Sequence, residues 1–310
     1  MKKTILITGG AGFVGSYLAD RLTKENYRVV AIDDLSTGKK ENLNSKTKLY
    51  KINICNPKIY NIFKRERPDF VFHFAAHINA RESVGDPIFD AKNNIIGSLN
   101  VLENCKKFRT KKIFFASSGG EIYGQATKIP TSEDYPPKPI SPYGIAKLTI
   151  EKYLETYYKL FGLPYTALRY GNIYGPRQNP DGEAGVVAIF TKKMLKNKQP
   201  FIHGDGRQTK DYIFIKDAIE ATILSLKKDF RGVLNIGTGK ETSVLKIFYK
   251  LKDLTNSDVG EKHVSLPSCS FKKGCLAIRK AKRELNWRPI CSLEDGLKKT
   301  VEWFKKHEDI

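Results

Sequence analysis

Apolar residues in the first third of the chain follow two alternating rhythms. Short, nearly uninterrupted runs such as Ile5-Leu6-Ile7, Val29-Val30-Ala31-Ile32 and Phe70-Val71-Phe72 are separated by stretches whose apolar positions recur every three or four residues. The runs predict strands over Thr4–Thr8, Arg28–Asp33, 70–74 and 113–117, and the periodic stretches predict helices over 13–25 and 94–107. Strands apolar on both faces, alternating with amphipathic helices, build a doubly wound parallel α/β sheet. After a proline-rich loop over 130–142, Ser141 can cap a helix whose first turn holds Pro142 and which stops at Phe161-Gly162-Leu163-Pro164. Further strands over Tyr165–Tyr170 and 233–236 extend the sheet. Residues 177–208 and 241–310 are richer in loops and basic residues, which predicts a smaller, interleaved substrate-binding lobe beside a sheet domain of residues 1–176 and about 209–240.

Composition narrows the class. With 310 residues, 40% hydrophobic, the chain can bury a sizeable core, which excludes disordered, collagen-like and small disulfide-stapled proteins. No run approaches the roughly 18 apolar residues of a membrane span, and the apolar stretch after Met1-Lys2-Lys3 ends at Gly9-Gly10, too short for a signal peptide. A cytoplasmic protein without a membrane partner is expected. The cysteines are odd in number and lack a C-x-x-C pair, and the histidines form no H-E-x-x-H, so no disulfide framework and no metal site are expected. Lysine and arginine exceed aspartate and glutamate by 54 to 33. The excess is scattered in doublets such as Lys39-Lys40 and Lys227-Lys228, as suits a solvated surface or a field attracting a phosphorylated small molecule, and no nucleic-acid partner is expected.

The first strand runs into Thr8-Gly9-Gly10-Ala11-Gly12-Phe13-Val14-Gly15. Glycine there permits a tight turn, a close approach of backbone to a pyrophosphate, and packing of the following helix, whose N-terminal amides face the anion. The second strand ends in Asp33, where a carboxylate can accept from both ribose hydroxyls, and Asp34 follows with no adjacent arginine, which favours NAD over NADP.

Tyr143 and Lys147, four apart on one helix, share a face. An ammonium near a phenol favours the phenolate, a usable base near neutrality. Ser117-Ser118-Gly119-Gly120 ends a parallel strand, the place where open α/β sheets bind ligands, and a serine hydroxyl there can hold a substrate hydroxyl.

With these motifs, His73-Phe74-Ala75-Ala76, Arg169-Tyr170-Gly171-Asn172-Ile173-Tyr174-Gly175-Pro176-Arg177 and Leu285-Asn286-Trp287-Arg288-Pro289, the chain resembles the extended short-chain dehydrogenases of the NAD-dependent epimerase/dehydratase family, most closely the UDP-glucose 4-epimerases. The resemblance implies a Rossmann domain holding NAD. It makes Tyr143 the base, Lys147 its electrostatic partner and anchor of the nicotinamide ribose, and Ser118 the hydrogen-bonding hydroxyl, with Ser117 as the alternative. It places Gly9, Gly12, Phe13, Val14, Gly15, Asp33, Asp34, Asn53, Ile54, Phe74, Ala75, Ala76, Asn93, Ser117 and Tyr170 at the cofactor. It places Asn172, Gly185, Val186, Val187 and Lys210 at the nucleotide sugar, together with Ser118 and Tyr143.

Three departures stand out. Lys210-Asp211-Tyr212 replaces the family's Arg-Asp-Tyr, giving charge without the bidentate fork. The family's Arg-x-Gly-Asp is replaced by Pro267-Ser268-Cys269-Ser270, which leaves three readings: Lys272, Lys273 or Arg279 substitutes, the register is shifted, or the lobe binds something other than a standard UDP-sugar. Glu121 stands where dehydratases carry a base, but its neighbour Gly120 cannot be their acid. The expected activity is therefore nucleotide-sugar 4-epimerisation of the UDP-glucose/UDP-galactose type, extending to UDP-N-acetylhexosamines if Gly274 marks a gate beside the sugar. A 4,6-dehydratase or a catalytically degenerate NAD-binding scaffold are the alternatives, and the resemblance implies a homodimer through the helices over 94–107 and 148–161.

Overall fold

The computed structural model describes residues 2–181, 185–267 and 272–307. Its centre is a parallel sheet of β1 (Thr4–Thr8), β2 (Arg28–Asp33), β3 (Lys48–Lys51), β4 (Phe70–His73), β5 (Lys112–Ser118), β6 (Tyr165–Tyr170) and the strand Gly232–Ile236. The spatial order is Gly232–Ile236, β6, β5, β4, β1, β2, β3. The chain moves outward from β1 to β2 and β3, then returns to pair β4 on the other side of β1. That reversal opens a crevice at the carboxyl ends of β1 and β4, where sheets of this kind bind ligands. Register puts Thr8 beside both Ile32 and His73, so β1, β2 and β4 end at one edge.

The helices up to residue 161 are α1 (Phe13–Lys24), α2 (Ile59–Glu66), α3 (Ala80–Gly85), α4 (Pro87–Ala91), α5 (Gly97–Lys107), α6 (Gly119–Tyr123) and α7 (Pro142–Phe161). Ser141 caps α7 as expected, its Oγ accepting from the Gly144 amide at 3.1 Å, and Gly162 ends it in the left-handed region at φ 67°. The helix expected over 94–107 is instead a π-helical turn, Lys92–Ile96, leading into α5. Buried polar side chains explain the change: Ser98 Oγ donates to the Asn94 carbonyl at 2.6 Å and Asn94 Nδ2 to Asp90 Oδ1 at 2.8 Å, in competition with regular backbone pairing.

Packing divides the chain into two compact units. The first comprises residues 1–118, 141–169 and 222–234, and the second residues 119–140, 170–221 and 235–310. Residues 119–140 cluster with the second unit because Thr131 takes up an unexpected partner. Its amide donates to the Cys275 carbonyl at 2.8 Å, and its carbonyl accepts from the Ala277 amide at 2.9 Å. The second unit packs helices Val186–Leu195, Val244–Thr255 and Leu293–Lys306 against one another. Among the described residues no helix is long and apolar enough to cross a membrane.

Candidate functional site

The glycine loop lies at the switch point of the sheet. Gly9 adopts φ 68°, and a Cβ there would come within 2.7 Å of the Ala75 amide nitrogen, so only glycine lets the loop press against the segment following β4. A Cβ on Gly15 would reach 2.1 Å from the Gly9 carbonyl, so glycine also lets α1 dock on the loop. Gly12 caps α1 without a side chain, and the first turn, with Phe13, Val14 and Gly15, has amides that no intrahelical acceptor satisfies. Such an end is a cradle for a pyrophosphate.

Asp33 is buried at the end of β2, its carboxylate accepting from the Ala11 and Leu35 amides at 2.9 Å each. Burial pushes its pKa up, against the pull of those amides. Asp34 accepts from Asn53 Nδ2 at 2.6 Å, so Asp33, Asp34 and Asn53 form one cluster beside the loop, with Ile54 in the core cluster beneath.

Under the loop runs a buried chain of hydrogen bonds. Ser98 donates to Asn94, so its oxygen accepts from His73 Nε2 at 2.7 Å. That leaves His73 Nδ1 to accept from Thr8 Oγ1 at 2.7 Å, while Thr8 Oγ1 accepts from the Ala75 amide at 3.2 Å. Burial holds the His73 pKa down at about 3, with Lys147 adding to the effect, so the ring is a neutral strut. Phe74 and Ala75 are thereby fixed against Gly9, and Ala76 follows them in the same half-buried segment.

Lys147 is buried on α7 and donates to the Ala116 carbonyl of β5 at 2.7 Å, two residues before Ser118. Its Nζ sits 5.5 Å from the centroid of the Tyr143 ring, and the Tyr143 amide donates to Ser83 Oγ at 3.2 Å. Burial lowers the Lys147 pKa to about 8, opposed by the charges of Asp90 and Glu151. Ser117 is buried and donates to Glu151 Oε1 at 2.6 Å, and Glu151 in turn pairs with Arg169 through contacts of 2.9 and 2.6 Å. Ser117 is thus engaged in the floor of the site, while Ser118 is half-buried at the strand end.

Asn93 lies on the π-helical turn with its Nδ2 on the Phe89 carbonyl at 2.9 Å. Its buried neighbour Asn94 instead clamps the His77 backbone at both its amide and carbonyl, 2.8 Å each. Sequence reasoning missed Asn94, Asp90 and the Glu151–Arg169 pair; a charged residue recurring on the apolar face of a helix, as Glu151 does on α7, is the signal that could have found the last.

The second unit holds a small pocket lined by Gly120, Tyr123, Asn172, Asp211, Lys273 and Gly274 among others. Tyr170 is buried at the end of β6, two residues before Asn172. Asp211, next to the expected Lys210, is another residue the sequence did not single out. Its Oδ1 accepts from the Thr238 amide and hydroxyl at 2.7 Å, and its Oδ2 from the Gly239 and Leu276 amides at 3.1 Å. Lys210 ends the strand Thr209–Lys210 and is not among the cavity's lining residues. Gly185 caps the helix Val186–Leu195, with Val186 half-buried and Val187 in the core. Ser268, Cys269 and Ser270 lie outside the described residues. Among the described residues no group of His, Cys, Asp or Glu is placed to hold a metal ion.

Residues 5–237 match the model of the NAD dependent epimerase/dehydratase family. The chain belongs to that family. It is 47% identical to a UDP-glucose 4-epimerase of Thermotoga maritima solved with UDP-glucose, with a TM-score of 0.96 over 98% of this chain and 99% of the other. It is 34% identical to the Thermus thermophilus UDP-glucose 4-epimerase solved with NAD, with a TM-score of 0.95 over 98% and 99% of the two chains. A UDP-glucose 4-epimerase of Mycolicibacterium smegmatis is 38% identical over 307 residues, covering 97% of this chain and 98% of the relative. NAD is the family's cofactor, and the glycine cradle with its flanking carboxylate fits it.

Proposed function

We propose that the protein is an NAD-dependent 4-epimerase of UDP-hexoses. The carrying observation is Lys147, anchored on β5 two residues from Ser118 and lying over the Tyr143 ring. The first unit's loop, with Gly9, Gly12 and Gly15, would hold the pyrophosphate of NAD, and Asp33 its ribose. When bound, NAD supplies a hydride acceptor that returns the hydride to either face of a 4-keto sugar.

The chain's own residues do the rest. Tyr143 takes the proton of the C4 hydroxyl and gives it back. Lys147 remains largely cationic at neutral pH and stabilises the phenolate, and Ser118 orients the reacting hydroxyl. The second unit holds the nucleotide, Asn172 and the Gly185-Val186-Val187 backbone among its contacts, and leaves the sugar loose enough to present both faces. Gly274 in the cavity wall supports acceptance of N-acetylhexosamines. Gly120 offers no acid beside Glu121, which weighs against elimination of water.

Exposed apolar side chains support a homodimer. Ile145, Tyr153 and Leu160 are exposed along one face of α7, and Ile96 is exposed ahead of α5.

Tyr143→Phe tests the reading: interconversion of UDP-glucose and UDP-galactose should fall by about 10² to 10⁴-fold while NAD is retained. Undiminished turnover would remove Tyr143 from the chemistry. Turnover of UDP-glucose without any turnover of UDP-N-acetylglucosamine would refute the wider substrate range.

A further inference from the structure

We propose that Ser83 is a positioning residue for Tyr143: its hydroxyl holds the start of α7 against α3 and so fixes where the phenol stands relative to Lys147. The inference rests on the epimerase reading for the task of Tyr143. Its observations lie wholly within the first unit.

The start of α7 is fastened at two successive amides, and the fastenings differ in kind. Pro142 has no amide hydrogen, so Tyr143 and Gly144 carry the next donors of a first turn that offers them no acceptor within the helix. Ser141 Oγ accepts from the Gly144 amide at 3.1 Å, a cap that belongs to the helix and moves with it. The Tyr143 amide instead donates to Ser83 Oγ at 3.2 Å, 60 residues away in sequence on α3. Ser83 is fully buried, and its own proton is spent on the Ala80 carbonyl at 2.7 Å, which leaves the oxygen as an acceptor at a fixed place.

The helix that carries Ser83 is itself held at both ends. Asn79 Oδ1 caps α3, accepting from the Arg81 and Glu82 amides at 3.0 and 2.9 Å. Glu82 lies 2.8 Å from His77 Nε2, and Asn94 clamps the His77 backbone. At its other end α3 runs into Asp86, whose carboxylate caps α4. Lys147, one turn further along α7, is fastened to a different element, the Ala116 carbonyl of β5 at 2.7 Å. Tyr143 and Lys147 thus share a helix but take their positions from two supports, α3 and β5. Loss of the Ser83 acceptor releases the Tyr143 end alone. A phenol that drifts from the ammonium has a less stabilised phenolate, and a displaced base reaches the substrate hydroxyl poorly.

Ser83→Ala and Ser83→Thr, both carrying NAD, would be compared with the unsubstituted holoenzyme in turnover of UDP-glucose across pH, in the ultraviolet titration of tyrosinate read against Tyr143→Phe, and in hydrogen exchange of the Tyr143 amide. We expect Ser83→Ala to lower kcat by about ten- to a hundredfold, with KM changed less than about twofold. The acid limb of kcat and the Tyr143 titration should both move to higher pH, because the phenolate has lost part of its support. Ser83→Thr, which keeps the hydroxyl, should restore most of kcat and the original limb. Native kcat and an unmoved acid limb in Ser83→Ala overturn the inference even where stability falls, since the bond would then be structural only. A Ser83→Thr variant as slow as Ser83→Ala overturns it as well. If Ser83→Ala fails to fold, the unsubstituted protein decides: slow exchange of the Tyr143 amide supports the bond, and exchange at the rate of an open loop overturns it. Absence of turnover by the unsubstituted protein sinks the epimerase reading alone, because the titration and the exchange still test Ser83.

Discussion

Lys147 carries a large electrostatic cost at the proposed catalytic centre. Burial lowers its pKa from 10.5 to about 8, so between those values the unfolded chain holds a proton that the folded chain has lost. Stability therefore rises with pH across that window, and below it the desolvation cost is present in full. Relative to the native protein, Lys147→Met should gain stability at pH 7, by at most about 3 kcal/mol, and the advantage should shrink as pH rises above 8. The pH dependence is the decisive readout in paired urea melts, because Ala116 loses its donor in the variant. A stability difference flat from pH 7 to 10 would contradict the assignment. At this scale Tyr143, Lys147 and the glycine loop could be singled out as candidates because their pattern is written in spacing of three or four residues. Asp211, Asn94 and Glu151 were not, since each depends on partners distant in sequence: Thr238 and Leu276 for Asp211, His77 for Asn94, Ser117 and Arg169 for Glu151.

Elements whose signals are local came through nearly intact. β1, β2 and β6 have the predicted bounds, and α7 has its predicted cap and stop. β3 escaped notice because Lys-Leu-Tyr-Lys at a sheet edge is only half-buried and carries no apolar run. It is held from outside itself. Glu66, at the end of α2, accepts from Lys48 Nζ and Arg28 Nη1 at 2.7 and 2.5 Å and from the Tyr50 hydroxyl, tying α2 to β2 and β3. Burial raises the Glu66 pKa, but hydrogen bonds from Lys48, Tyr50 and Arg28 overcome it and bring the value from 4.5 to about 2. A carboxylate so depressed stabilises fully above pH 4.5 and loses its contribution as pH falls toward 2. Glu66→Gln should cost roughly 2 kcal/mol at pH 7, after allowance for the half-exposed cations, and the cost should shrink by pH 3. Chemical denaturation at the two pH values checks this.

For the whole molecule, the formal charge of +21 and the apolar face of α7 make opposing demands. Like charge resists self-association at low salt, and the apolar face favours it. The proposed homodimer should accordingly tighten with ionic strength, and Leu160→Glu should yield monomers in sedimentation while retaining bound NAD. A dimer unaffected by that substitution would place its interface elsewhere. The class of fold was evident from the strand–helix rhythm. The division of the chain was less so, because Thr131 joins residues 119–140 to residues 275–277 across a gap no periodicity records.

The chain crosses from one compact unit to the other five times, and the strand Gly232–Ile236 at the sheet margin comes late in the sequence. During synthesis, the sheet cannot close until that strand has emerged, by which point much of the other unit is already outside the ribosome with its own last segment still to come. The sheet-bearing unit can therefore mature only after residues 119–140 and 170–221 of the other unit have been made, and the other unit must wait longer still.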